Sequence, residues 1–585
     1  MQSLPYKLIP AGARQAAAGG LLSLLLAAPA WGELQLKIED VPSGLEQNIL
    51  SRTALHEEAC EAPAWRVRRL FRRLEKDIQP ALQAFGYYRA RIDKQLRRDQ
   101  QCWHVELNIE AGPRTRVRSR LLQIDGGMGE DPQLAEMLAQ LPLAEGEPLH
   151  HGDYEAIKTA LREFALEHGY LDFAFTRQQL RVYPAEDAAE IDIAADSGPR
   201  YRFGELSFDE QPLSNAFIAR LAQWQTDVPF DPRELSALDR RLSDSGYFSR
   251  VEVRSRRDLR QDESIPVELT LQTAPRHAWR AGIGFATDTG PRLSLGYKNR
   301  YLNTRGHLLD SELRLSPVES GVGVQYRIPG ENPHQEYFSF GAKAAHEDTE
   351  TAVSDSFTLG AQHVLQWHGW TQTRFIELLY EQSQVGDDSI DATLLMPGIK
   401  MSHTEADDVL RTRHGYRINL EARAAYEGLL SSSTLLQLRA DFKIIHRFGD
   451  AGRVTLRAEA GSTIGDSTGD LPASLRFFAG GDNSVRGYAY ESLGPETAGG
   501  TPVGARNLLT SSVEYEHPIV DDDWWLGAFV DAGNAFDTDA IRLRAGYGVG
   551  VRWYSPVGRL RFDLAFPDDT SQDEWRIHFG LGADL

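Results

Sequence analysis

From Trp575 to Leu585 the sequence changes medium at every step. Trp575, Ile577, Phe579, Leu581, Ala583 and Leu585 are apolar, while Arg576, His578, Gly580, Gly582 and Asp584 between them are polar or tiny. Alternation with a period of two is a β-strand, because successive side chains of an extended chain point to opposite faces. An aromatic and aliphatic face backed by a small, polar one suits a sheet with lipid outside and water inside. The expectation is a chain that ends as the last strand of a membrane barrel.

The same period governs the C-terminal half. After Ala278 helical periodicity disappears, and nearly every segment alternates and is broken by Gly, Pro, Asp or Asn turns. Sixteen candidate strands fall between Trp279 and Leu585, the clearest being 292–301, 308–315, 417–426, 435–445, 453–460, 541–553 and 559–566. An even number of strands without helices suits an outer-membrane barrel over residues 278–585. A soluble β-sandwich has no need of Trp524, Trp525 and Trp553 near strand ends. A formal net charge of -21 argues against a nucleic-acid partner, which requires a basic surface. A mean hydropathy of -0.40 excludes a bundle of membrane helices but not a barrel, whose strands are only half apolar. Lys7 and Arg14 before the Ala- and Leu-rich stretch to Ala28 read as a secretory signal over residues 1–30, which carries the mature chain out of a Gram-negative cytoplasm.

Between the signal and the barrel one pattern occurs three times, at residues 33–114, 115–200 and 201–277. A helix stops at Gly86-Tyr87-Tyr88, Gly169-Tyr170-Leu171 and Gly246-Tyr247-Phe248, where glycine can adopt the left-handed conformation that ends a helix. Two strands follow, the second closing at Gly112-Pro113-Arg114, Gly198-Pro199-Arg200 or Ala274-Pro275-Arg276. Each copy is expected to be a β-α-α-β-β module with its helices on one face of a three-stranded sheet. In the first, Val67, Leu70, Phe71 and Leu74 share one helix face and Arg66, Arg69, Arg72 and Arg73 cover the rest. That arginine run reads as a solvated face, or as a surface for an acidic partner or lipid headgroups. Cys60 and Cys102 fall in this module and can pair in an oxidising periplasm, which would stabilise it by about 4 kcal/mol; two buried free thiols are the other reading.

One long interruption, at about residues 463–504, contains Val485, Arg486, Gly487 and Tyr488. In the strand beginning at Trp524, the outward phase of Trp524, Leu526, Ala528 and Val530 turns Phe529, Asp531 and Gly533 toward the lumen, and Asp563 faces inward on a later strand. A guanidinium folded into such a lumen would meet carboxylates and can bind one through two parallel hydrogen bonds. The glycines of the loop also resemble a phosphate cradle, but no Gly-Lys-Ser/Thr follows.

Val485-Arg486-Gly487-Tyr488, the Phe529-x-Asp531-x-Gly533 pattern and the three preceding repeats resemble the Omp85 superfamily with its POTRA modules. Within it the three modules, the two early cysteines and the ending Gly580 to Leu585 are most similar to the TamA branch of translocation and assembly modules. The resemblance implies α+β POTRA repeats followed by an all-β 16-stranded transmembrane barrel, with the Arg486 loop contacting the wall at Asp531. It also implies a C-terminal signal at His578, Gly580, Ala583 and Leu585. The first strand, with Trp279, Gly282 and Gly284, must meet the last, with Gly580 and Gly582; so many glycines predict a weak lateral seam. An opened seam could template incoming strands of client outer-membrane proteins, autotransporter-type ones among them. The implied partners are those clients, a TamB-like protein anchored in the inner membrane, and lipids of the outer membrane, with phospholipid transfer as a further role. A two-partner secretion transporter usually carries two POTRA modules and the main barrel-assembly subunit five, so three disfavour both. A passive porin would not need the modules. No enzymatic Ser, His and Asp arrangement is evident, Asp521 to Asp523 reads as a solvated turn, and neither a cofactor nor a metal is expected.

Overall fold

The computed structural model describes residues 34–582 apart from 40, 42, 100, 101, 521, 538–540, 556, 557 and 570–574. The signal stretch 1–30, together with Ala583 and Leu585 of the terminal pattern, lies outside the described residues. The chain forms two compact units that meet in sequence at Tyr201 and Arg202.

The first unit holds two modules. One comprises β1 (Gln35–Glu39), α1 (Ser43–Arg52), α2 (Ala64–Ala84), β2 (Arg91–Arg98) and β3 (Trp103–Glu110). Its sheet order is β1-β3-β2, with β1 parallel and β2 antiparallel to β3. Parallel neighbours need a crossover, which the two helices supply, so the last strand takes the centre. Trp103, Val105, Leu107 and Ile109 are buried along β3 and meet Val67, Leu74 and Ile78 of α2. A disulfide joins Cys60, in the connection between the helices, to Cys102 at the edge of β3. The next module repeats the order with β4 (Arg116–Asp125), α3 (Pro132–Ala139), α4 (His151–Glu167), β5 (Ala174–Tyr183) and β6 (Ala188–Asp196). Asp131 caps α3 through the Gln133 N–H and also accepts from the Tyr170 hydroxyl at 2.9 Å.

The second unit opens with a third module of the same topology: β7 (Arg202–Phe208), α5 (Asn215–Ala222), α6 (Pro232–Asp244), β8 (Phe248–Ser255) and β9 (Ser264–Thr273). An antiparallel sheet of sixteen described strands follows in strict sequence order. Its first half is β10 (His277–Ala286), β11 (Gly290–Asn299), β12 (Leu308–Leu315), β13 (Glu319–Pro329), β14 (Glu336–Asp348), β15 (Ala352–Trp367), β16 (Trp370–Val385) and β17 (Asp388–Ala406). The second half is β18 (His414–Ala425), β19 (Leu435–Arg447), β20 (Arg453–Gly465), β21 (Asn507–Val520), β22 (Trp524–Phe536), β23 (Arg544–Ser555), β24 (Gly558–Pro567) and β25 (Arg576–Gly582). The candidate strand at 541–553 begins three residues later than its apolar alternation suggests, because Ile541 and Leu543 stand exposed before β23 pairs with β22. Apolar side chains such as Ile283, Val324, Phe340, Leu526 and Val530 stand exposed on the outer wall, as strands facing lipid require.

The third module seats on the near rim of this barrel, the rim from which β10 starts. Phe217 of α5 packs over Gly306, where a Cβ would fall 2.3 Å from the ring, and the Tyr247 hydroxyl donates to the Gly306 carbonyl at 2.6 Å. Arg220 donates to the Gly330 carbonyl at 2.7 Å, and Nε2 of His334 meets the Leu221 carbonyl at 2.8 Å. The turns after β11 and β13 are thus fixed to the module, and the turn after β10 and the connection after β20 lie at the far rim.

Candidate functional site

Between β20 and β21 the chain leaves the wall for residues 466–506, slightly later than the sequence pattern placed the interruption, because β20 continues to Gly465. This loop folds into the lumen. Arg486, 1% exposed, is its innermost cation. Its Nε donates to Asp531 Oδ2 at 2.7 Å and its Nη2 to Oδ1 at 2.9 Å, the parallel pair that a planar guanidinium permits. Nη1 reaches Glu514 at 2.8 Å and Asp563 at 2.9 Å, the backbone N–H donates to Asp531 at 3.0 Å, and the guanidinium lies 3.4 Å from the centre of the Phe529 ring. The structure therefore brings Arg486, Phe529, Asp531 and Asp563 together. Val485 is fully buried and Tyr488 nearly so, its hydroxyl held by Asp568. Gly533 faces Thr510 and the Leu509 carbonyl of β21.

Several partners were not singled out in the sequence. Glu514 and Glu516 of β21 extend the ion pairs to Arg552 of β23 and Arg453 of β20, and to Arg559 of β24, whose inward phase is legible in the sequence; all are buried. Charges this deep are tolerable only when paired and hydrogen-bonded on every side. Glycine makes the approach possible: a Cβ on Gly546 would fall 1.8 Å from the Arg486 carbonyl oxygen, so the loop backbone lies directly on β23. The inward phase of Ser512, Glu514 and Glu516 on β21, and of Gly546, Gly548 and Gly550 on β23, is the signal that could have found them.

A second attachment holds the loop's opening stretch. Leu471 and Leu475 are buried against Leu379, Leu394 and Met396, apolar residues that turn inward on β16 and β17. Beside them the buried carboxylate of Glu381 accepts from the Ser474 N–H at 3.1 Å and from its hydroxyl.

The tip of the loop also bridges the two ends of the sheet. The Gly487 N–H donates to Nε2 of His578 on β25 at 3.0 Å, which leaves the ring proton on Nδ1, facing Asp482 Oδ1 at 2.5 Å. The Asp482 N–H in turn donates to Asp288, in the turn after β10, at 2.6 Å. Asp288, Asp482 and His578 are the one described set spaced to ligate a cation. Both ring nitrogens are engaged in hydrogen bonds, so the arrangement is a clasp of loop, first turn and last strand. Burial, and then the Asp482 charge, push the Asp288 carboxyl up to about 6.

No ladder joins β10 to β25 among the described residues. Among the described residues Thr287 bridges them by hydrogen bonds: Phe579 donates its N–H to the Thr287 hydroxyl at 2.5 Å, and the Thr287 N–H donates to the Phe579 carbonyl at 3.3 Å. Phe285 and Phe579 add a ring contact at 5.9 Å. Gly282 and Gly284 are committed to β11, opposite Ser294 and Arg292, and Gly580 to β24, opposite Arg561. Trp279 is 77% exposed beside Tyr297. Among the described residues the glycines border the gap without bridging it, and β25 meets its counterpart at the far rim.

Three sheet-and-helix modules ahead of a sixteen-stranded barrel, with an inward loop ion-locked to its wall, define a POTRA-bearing outer-membrane β-barrel protein. The chain belongs to the Omp85 superfamily: the profile of the Omp85 superfamily domain matches residues 265–585, and that of POTRA domain TamA domain 1 matches residues 35–111. It is similar to the outer membrane protein assembly factor BamA of Nitratidesulfovibrio vulgaris, 21% identical over 72% of this chain and 56% of that protein, so it spans little more than half of that relative. BamA of Neisseria meningitidis is 21% identical over 85% of this chain and 70% of the relative. In fold the chain resembles the crystal structure of BamA from Haemophilus ducreyi lacking POTRA domains 1-3, with a TM-score of 0.68 at 16% identity over 80% of this chain and 99% of that one.

Proposed function

We propose that this protein is the outer-membrane subunit of a translocation and assembly module, inserting or secreting β-barrel and autotransporter-type clients through the seam between β10 and β25, with a TamB-like partner anchored in the inner membrane. The observation that carries the reading is the seam. Among the described residues the two edge strands meet through one threonine and one ring pair and form no ladder, and an edge strand can template another strand. The TamA-type first module supports this branch over its relatives, and a loop clamped across the lumen suits strand handling at the wall better than passive diffusion through the centre. The clasp from Asp288 through Asp482 to His578 couples the loop to both edges, so opening the seam requires the loop tip to let go of one of them.

Cysteines replacing Thr287 and Phe579 should crosslink across the far rim on oxidation. Client insertion into proteoliposomes is expected to fall at least tenfold in the oxidised protein and to recover with reductant. Full insertion by the locked barrel would refute the lateral route.

A further inference from the structure

The helix α2 of the first module carries a charge pattern that its fold does not require. Arg68, Arg69, Arg72, Arg73 and Lys76 are exposed along it, and among the described residues no carboxylate pairs with Arg68, Arg69, Arg72 or Lys76. At its first turn Trp65 stands 65% exposed, with the Arg69 guanidinium 5.6 Å from its ring centre. On the equivalent helices of the other modules carboxylates equal or outnumber the cations: α4 sets Lys158 and Arg162 against Asp153, Glu155, Glu163 and Glu167, and α6 sets Arg233, Arg240 and Arg241 against Glu234, Asp239 and Asp244, whereas α2 sets only Glu75 and Asp77 against its five arginines and Lys76. Module packing therefore does not select the basic face, and a chain of net charge -21 has no general tendency to produce one.

We infer that the exposed face of α2 is a docking surface for an anionic phospholipid bilayer. The face is the exposed side of a single helix. Long arginine stems can lie along a membrane surface while their guanidinium groups bind phosphates, and an exposed indole settles at headgroup depth. Charge complementarity commits the surface to lipids bearing net negative charge. This inference is independent of which clients cross the seam, since it concerns a surface on the first unit alone.

The full-length protein, held by its barrel in phosphatidylcholine nanodiscs, is mixed with vesicles of phosphatidylglycerol and phosphatidylcholine and floated. Retention on these vesicles but not on pure phosphatidylcholine is expected, weakening as salt screens the charges. Each cation near such a surface strengthens attachment about fivefold, so Arg68→Gln/Arg69→Gln/Arg72→Gln should lower it roughly a hundredfold. Trp65→Ala should lower it several-fold, which an acidic protein partner would not require. Arg91→Gln/Arg97→Gln on β2 of the same module should leave it unchanged. All these side chains are exposed, and an unchanged far-UV spectrum checks the fold. Any one of four results overturns the inference: equal retention on uncharged vesicles, a triple variant within twofold of wild type, an equal loss from the β2 pair, or preferential capture of polyglutamate.

Discussion

Replacing Arg486 by alanine removes five side-chain hydrogen bonds at once, to Asp531, Glu514, Asp563 and Ser512. The consequences differ among these partners. Glu514 and Asp563 keep Arg552, so their burial remains compensated. Asp531, fully buried, loses its bidentate cation and is left with a much weaker environment. Breaking a buried pair by deleting one partner typically costs about 3–5 kcal/mol, which shifts the equilibrium between clamped and released loop by a hundredfold or more. The loss stays local, since Leu471 and Leu475 hold the other end of the loop and the barrel ladder is untouched. Limited proteolysis of the protein in outer-membrane vesicles should cut between residues 477 and 490 at least tenfold faster, while heat-modifiable migration of the barrel is unchanged. Arg486→Lys keeps the charge but not the fork, and should fall between. In a double-mutant cycle, Asp531→Asn should cost much less in the Arg486→Ala background than in wild type. Additive effects, or a cleavage rate within twofold of wild type, would refute the reasoning.

Three further outcomes are expected. Leu475→Ala should free the opening stretch of the loop at a cost of about 2–5 kcal/mol, seen as faster amide exchange over residues 468–476 with the 485–488 segment still protected; a rise in both together would show a single attachment. The Asp288 carboxyl, pushed up to about 6 by burial, favours its neutral form in the closed clasp. Its stabilisation is therefore complete below the ordinary carboxylate range and lost as pH rises through about 6. Exchange at Asp482 and Gly487, corrected for intrinsic rates, should quicken between pH 5 and pH 7.5, and Asp288→Asn should flatten that component; identical profiles in both proteins would exclude Asp288 as its source. Opening the Cys60–Cys102 bond, which spans 42 residues, should destabilise the first module by about 4 kcal/mol, measured by denaturant unfolding of Cys60→Ser/Cys102→Ser; a change below about 1 kcal/mol would contradict the chain-entropy account.

Much of this architecture is legible residue by residue. The period of two marks the barrel strands, and its phase says which side chains share the lumen, so Asp531 and Asp563 could be aimed at Arg486 before any coordinates. The Gly-Tyr sequences mark helix ends because Gly86, Gly169 and Gly246 adopt positive φ. These signals are local: they arise from the backbone and from the medium each side chain seeks. Glu514, Gly546, His578 and Thr287 acquire their roles only when register, loop path and closure juxtapose segments far apart in the chain. A strand pattern fixes a face but not its partner across the lumen. Nor does it say whether the sheet's two ends will pair, since that depends on where the last strand comes to rest against the first. Sequence alone determined strands, modules and which wall side chains face the lumen, and the family resemblance implied the inward arginine; tertiary structure decided what grips that arginine and how nearly the ring closes, because long-range contacts are set by the summed geometry of the whole barrel.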